Sequence, residues 1–194
     1  MNSADVLLIG PGVMSEECGE NLSTFLLERL EGPALVIDAL ALTGLTGKAA
    51  LVSSQGGRVV MTPHAGEMAS LTGLDKDRVI ADPVSIATRV SEQFGCTTVL
   101  KGSKTTVAQP REVPYTHHLE NPGLATAGDV LAGIIAGLIA RGNSPIRAAL
   151  WGVYVHAQAG DRLAKRARLG FLARELLDEI PGVLDCATTG SASS

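Results

Sequence analysis

Aromatic residues are scarce in this chain, at 3% of 194 residues. A core built without them must be filled by Ala, Val, Leu, Ile and Gly, which lets helices lie closely on a parallel sheet and favours an α/β fold. Cysteine is also sparse: Cys18, Cys96 and Cys186 are far apart and odd in number. That excludes a disulfide framework or a metal knuckle and fits a reducing cytosol. There is no excess of positive charge, the formal net charge being -4, and without clustered Lys and Arg to neutralise phosphates a nucleic-acid partner is excluded. The short basic segment Lys165, Arg166, Arg168 lies in an amphipathic stretch and reads as a solvated helix face. No apolar run reaches the roughly 18 residues that span a bilayer. The opening MNSADVLLIGPG has no basic segment followed by a long apolar one, so neither secretion nor membrane spanning is expected and the protein is assigned to the cytoplasm.

What is present is a globular composition, 45% hydrophobic and 19% charged, without repeats or a Pro- or Ser-rich linker. One domain over residues 1–186 and a flexible, Thr-, Gly- and Ser-rich tail over 187–194 are expected. Asp5 to Ile9 is an apolar run closed by Gly10-Pro11-Gly12, as a buried strand entering a turn would be. Leu22, Phe25, Leu26 and Leu30 follow at helical spacing, then Leu35 to Ile37, an apolar run ending at Asp38. Val59 to Met61 predicts a third strand and Ala65 to Leu71 a helix stopped by Gly73. Asp82 and Pro83 supply cap and first-turn signals for a helix carrying Ile86, Val90 and Phe94, which Gly95 ends. Thr97 to Leu100 and Thr105 to Ala108 predict two strands able to pair across a turn at Lys101-Gly102. Helices are predicted over Asp129 to Ala140, Pro145 to Ala167 and Gly170 to Ile180.

Three segments could carry chemistry. In Asn121 to Gly142, NPGLATAGDVLAGIIAGLIARG, glycines and small residues up to Gly128 let the backbone approach a ligand, and Asp129 opens an apolar helix. Exposed amides and the dipole at such a helix start suit a phosphate; Asp129 is either a base for a nearby hydroxyl or simply the helix cap. In Thr62 to Met68, TPHAGEM, His64 and Glu67 follow a strand, where open α/β sheets bind ligands. His64 is equally readable as a structural residue and Glu67 as an aid to its helix start. In Val99 to Val107, VLKGSKTTV, Lys101, Gly102 and Ser103 suit a nucleotide phosphate or ribose, or form a solvated hairpin turn. No G-x-x-x-x-G-K-[ST] precedes Ser103-Lys104-Thr105, so this is not a Walker loop.

Taken in order, GPG, VIDALAL, TPHAGEM, VLKGSKTTV, NPGLATAGDVLAGIIAGL, HAQAGD and GFLARELLDEIP cover nearly the whole chain. The set resembles the ADP- or ATP-dependent NAD(P)H-hydrate dehydratase family of ribokinase-like proteins. The resemblance implies an α/β fold with a mainly parallel sheet flanked by helices, here without the strands and helices that precede the GPG strand in the family. It implies removal of water from the hydrated nicotinamide ring of NADHX or NADPHX, coupled to cleavage of ADP or ATP with Mg2+. Phosphorylation of the ring hydroxyl is followed by elimination of the phosphate, in a kinase-like reaction that rests on positioning and charge stabilisation. By position, Asp129 is then the catalytic base. Gly12, His64 and Asp129 line the hydrated-cofactor pocket, and Lys101, Gly102, Ser103, Lys104, Thr105 and Gly128 hold the nucleotide. The family's phosphate loop reads like ATAGSGD or ATGGSGD, whereas Ala125 to Asp129 reads ATAGD, two residues short. That departure implies a second possibility, a nucleotide-binding but inactive relative. A third is a vitamin-precursor kinase of the same superfold, against which TPHAGEM argues. Exposed sheet edge left by the absent strands implies a homo-oligomer.

Overall fold

The computed structural model describes residues 4–118, 128–166 and 172–189. A six-stranded sheet runs in the order β1 (Val6–Ile9), β2 (Ala34–Ile37), β3 (Val59–Met61), β4 (Thr97–Leu100), β5 (Lys104–Ala108), β6 (Tyr115–His118). The first four strands are parallel neighbours, while β4–β5 and β5–β6 pair antiparallel. Strands added successively in one direction by right-handed crossovers place all the connecting helices on one face. That face carries α1 (Glu16–Arg29), a 3-10 stretch (Ala39–Leu45), α2 (Ala49–Ser53), α3 (Ala65–Thr72), α4 (Lys76–Ala81) and α5 (Pro83–Phe94). The opposite face is covered by α6 (Gly128–Ala140) and α7 (Pro145–Arg166). After a 3-10 turn (Ala173–Glu175), α8 (Leu176–Thr189) packs on α7.

The apolar runs of β2 and β3 follow from this sandwiching, since every one of their residues is buried, as are those of β4, including Thr97 and Thr98, and a strand covered on both faces has no solvent side. Leu35, Ile37, Val59, Met61 and Leu100 face the first helix layer with Leu27, Val90 and Phe94. Val36, Val60 and Val99 face Leu131, Ile135 and Val153 on the second. Helix ends obey their local signals: Ser15 caps α1 by accepting from the Cys18 amide, Asp82 caps α5 ahead of Pro83, and Gly73 and Gly95 end α3 and α5 in the left-handed conformation.

Several elements depart from expectation. β6, Tyr-Thr-His-His, carries no apolar alternation; it is an edge strand held by backbone pairing to β5. The short α2 and α4 lie below the length at which periodicity is readable. The helix expected to end at Ile180 continues through Pro181 to Thr189, into the first residues of the segment expected as a tail. Burial of Leu176 and Val183 against Val155, Ala159 and Leu163 offsets the backbone bond that Pro181 cannot make. Lys165 and Arg166 are exposed, as expected of a solvated helix face, and Arg166 also ties α7 to α8 by pairing with buried Glu179.

Candidate active site

Four parallel strands end at one place, and the residue following each end takes part in a shared polar cluster. Gly10 follows β1 with φ +114, and a Cβ there would lie 1.7 Å from the Asp38 carbonyl oxygen, so only glycine lets the β1 turn meet the end of β2. The Asp38 amide donates to the Ile9 carbonyl at 3.0 Å. Asp38 is fully buried, and its Oδ1 accepts from Thr62 Oγ1 at 2.8 Å and from Lys101 Nζ at 2.6 Å. Its Oδ2 is buried and has no hydrogen-bond donor among the described residues. Ala39, the next residue, has φ +49, a left-handed backbone that a side chain disfavours.

The neighbouring strand ends complete the arrangement. The Lys101 amide donates to the Pro63 carbonyl at 2.8 Å, and an isolated parallel bridge joins Lys101 to His64. His64 begins α3 with a capping box: its Nδ1 accepts from the Gly66 and Glu67 amides at 3.0 and 3.1 Å, while Glu67 Oε2 accepts from the His64 amide at 2.7 Å. With Nδ1 accepting twice, the ring proton of neutral His64 sits on Nε2, which lies 3.3 Å from Glu67 Oε1. Glu67 Oε2 is also 3.9 Å from Lys101 Nζ. From the other face of the sheet comes α6, whose first residue, Gly128, would place a Cβ 2.9 Å from Lys101 Nζ. The ammonium therefore lies between the strand-end carboxylates and the opening of α6, where unpaired helix amides and the positive end of the dipole favour an anion.

Of the residues expected from sequence, the structure brings together His64, Lys101 and Gly128. Asp129 is exposed in the first turn of α6, one residue after its start. Gly12 is exposed, with φ +79 and nothing within 4 Å of a built Cβ. Gly102 and Ser103 form the β4–β5 turn, Lys104 is exposed, and Thr105 is buried with its hydroxyl donating to the Gly102 carbonyl at 3.3 Å. Residues 121–127 of the expected phosphate loop, like Gly170 and residues 190–194 of the expected tail, lie outside the described residues. Glu67, expected at this strand end together with His64 or as an aid to its helix start, both completes the capping box and lies near Lys101. Asp38 and Thr62 are not among the residues expected at a site, and what marks them is a polar residue directly ending a wholly apolar strand at the sheet's carboxyl edge. Hollows along α1, beside Cys18 and Phe25, and at the opposite sheet end, beside Cys96 and Pro145, do not touch this cluster. Among the described residues no group of three or more His, Cys, Asp or Glu is placed to hold a metal ion.

The model of the NAD(P)H-hydrate dehydratase family matches residues 1–182. The chain belongs to that family. It is 44% identical over 191 residues to the ADP-dependent (S)-NAD(P)H-hydrate dehydratase of Xanthomonas campestris, covering 95% of this chain and 63% of that protein. It is 41% identical over 183 residues to the bifunctional NAD(P)H-hydrate repair enzyme of Moorella thermoacetica, covering 93% of this chain and 34% of that longer protein. The ADP/ATP-dependent NAD(P)H-hydrate dehydratase of Bacillus subtilis, co-crystallised with ATP and Mg2+, superposes with a TM-score of 0.81 at 27% identity, over 95% of this chain and 66% of that one. The chain thus spans less than two thirds of the curated relatives it matches, and it shares the ribokinase-like α/β fold of its structural neighbours. In this NAD(P)H-hydrate dehydratase family member no helix of the described residues is long and apolar enough to cross a membrane.

Proposed function

We propose that this chain removes water from the S epimer of hydrated NADH or NADPH, with ADP as the phosphoryl donor and ATP as the alternative. The observation that carries the reading is the placement of the Lys101 ammonium beside Gly128 at the opening of α6. A cation and a helix mouth converging at a residue without a side chain make a seat for a phosphate chain. Gly102, Ser103, Lys104 and Thr105 extend that seat along the β4–β5 turn towards the rest of the nucleotide. Asp129, exposed on the first turn of α6, is then the group that takes the proton of the ring hydroxyl as its oxygen is phosphorylated. Gly12 and His64, at the exposed ends of β1 and β3, face the hydrated nicotinamide in this reading. Mg2+, when bound with the nucleotide, neutralises phosphate charge. In this reading it arrives with the nucleotide phosphates, which supply most of its ligands.

The purified chain is expected to restore NADH absorbance from the hydrated cofactor when ADP is supplied, and Asp129→Asn to lower the rate by at least about 10²-fold. Absence of turnover by the unaltered chain removes the reading. The ATAGD sequence of residues 125–129, which runs into the start of α6 and by the resemblance is two residues short of the family's loop, favours a second reading, nucleotide binding without turnover. Calorimetric heat with ADP in the absence of turnover is the outcome that selects it.

A further inference from the structure

We propose that Asp38 is a positioning residue for phosphoryl transfer, acting through Lys101: its carboxylate, steadied by Thr62, holds the ammonium against the opening of α6 before the nucleotide arrives. The proposal rests on the reading of Lys101 as a phosphate contact. A lysine head group on four rotatable bonds swings widely unless something holds it. Here Asp38 Oδ1 holds it at 2.6 Å, and on its other side a Cβ built on Gly128 would come within 2.9 Å of it. Thr62 Oγ1 donates to the same oxygen at 2.8 Å, which fixes the carboxylate as well as the lysine. The main chain at Asp38 is itself fixed, because Gly10 packs directly on its carbonyl.

The pattern is not that of a pair selected for stability. Both donors converge on Oδ1, while Oδ2 is buried without a donor among the described residues, although a buried carboxylate gains most when both oxygens are satisfied. Drawing the ammonium to one oxygen leaves it reaching towards α6 instead of lying across the carboxylate. Glu67 Oε2, 3.9 Å away, completes a second side of the cage and is locked in place by the α3 capping box. Pre-placing charge in this way avoids reorganisation during the reaction, which is the general source of electrostatic catalysis.

A double-mutant cycle in ADP affinity, read by calorimetry on the full chain, tests this. Asp38→Asn is expected to weaken ADP binding about ten-fold and Lys101→Met at least as much, with the double variant no weaker than Lys101→Met alone. Near-UV circular dichroism and thermal unfolding accompany each variant. If Asp38→Asn fails to fold, Thr62→Val takes its place, with a smaller loss that likewise vanishes in the Lys101→Met background. Binding by Asp38→Asn equal to the unaltered chain, or losses that simply multiply in the double variant, overturns the proposal. No ADP binding by the unaltered chain overturns the nucleotide reading and this proposal together. Binding with the expected cycle but without turnover supports the placement of Lys101 by Asp38 for the nucleotide and strikes the dehydratase reading and the phosphoryl-transfer role with it.

Discussion

At the scale of single residues, the backbone around Asp38 is under opposite constraints on its two sides. A methyl at Gly10 would enter the Asp38 carbonyl oxygen at 1.7 Å, a contact that only main-chain movement can relieve. Gly10→Ala is therefore expected to destabilise by more than about 2 kcal/mol in urea unfolding. Ala39, by contrast, already carries a side chain at φ +49; Ala39→Gly is expected to hold or raise stability in the same titration, whereas Ala→Gly in a helix costs about 1 kcal/mol. Cys96 supplies a pH-dependent case. Burial pushes its thiol up from 9.0 to about 12, opposed in part by the hydrogen bond with Thr98. The folded chain thus keeps a proton that the unfolded chain releases between those values. The contribution of Cys96 is whole below pH 9 and is lost as pH rises towards about 12. Unfolding curves of Cys96→Ala measured across that window should fall less steeply with pH than those of the unaltered chain, and equal slopes would refute the assignment.

At the scale of elements, α3 shows how one residue serves two purposes. His64 caps the helix with Nδ1 and leaves Nε2 beside Glu67, so His64→Ala is expected to cost about 1 kcal/mol of stability. His64→Asn, which keeps a capping acceptor, should recover most of that while any loss of substrate affinity persists. The structural and ligand readings of this histidine, open from sequence, are separable by that pair. Elements whose signal is local were legible: the Gly73 and Gly95 stops, the Asp82-Pro83 start and the apolar runs of β2 and β3 all occupy their expected places. Elements whose reason is tertiary were not. β6 exists because β5 offers it a backbone edge, and α8 passes Pro181 because Val183 has a core to enter. The same distinction governs the site. Lys101 and Gly128 could be named from glycine-rich, charged segments, but the carboxylate that holds Lys101 lies 63 residues away in sequence, and its place at the end of an apolar strand does not say which residue it pairs with.

At the scale of the whole molecule, the cluster sits where two cores meet. α3 belongs to the helix layer on one face of the sheet and α6 to the layer on the other, and Lys101, from the strand between them, touches groups on both. A nucleotide bound at that seam contacts elements from both layers, so its binding energy is available only when both are folded and adds to global stability instead of ordering a single loop. At a free ADP concentration of about 100 times Kd the added stability is about 2.7 kcal/mol. For a domain of this size that corresponds to a rise in Tm of about 5–10 °C. Differential scanning fluorimetry with ADP should show one sharpened transition moving upward, and Lys101→Met should lose most of the shift at the same ADP concentration. A split transition, with only part of the unfolding signal moving, would mean that the layers unfold independently and that the nucleotide engages one of them alone.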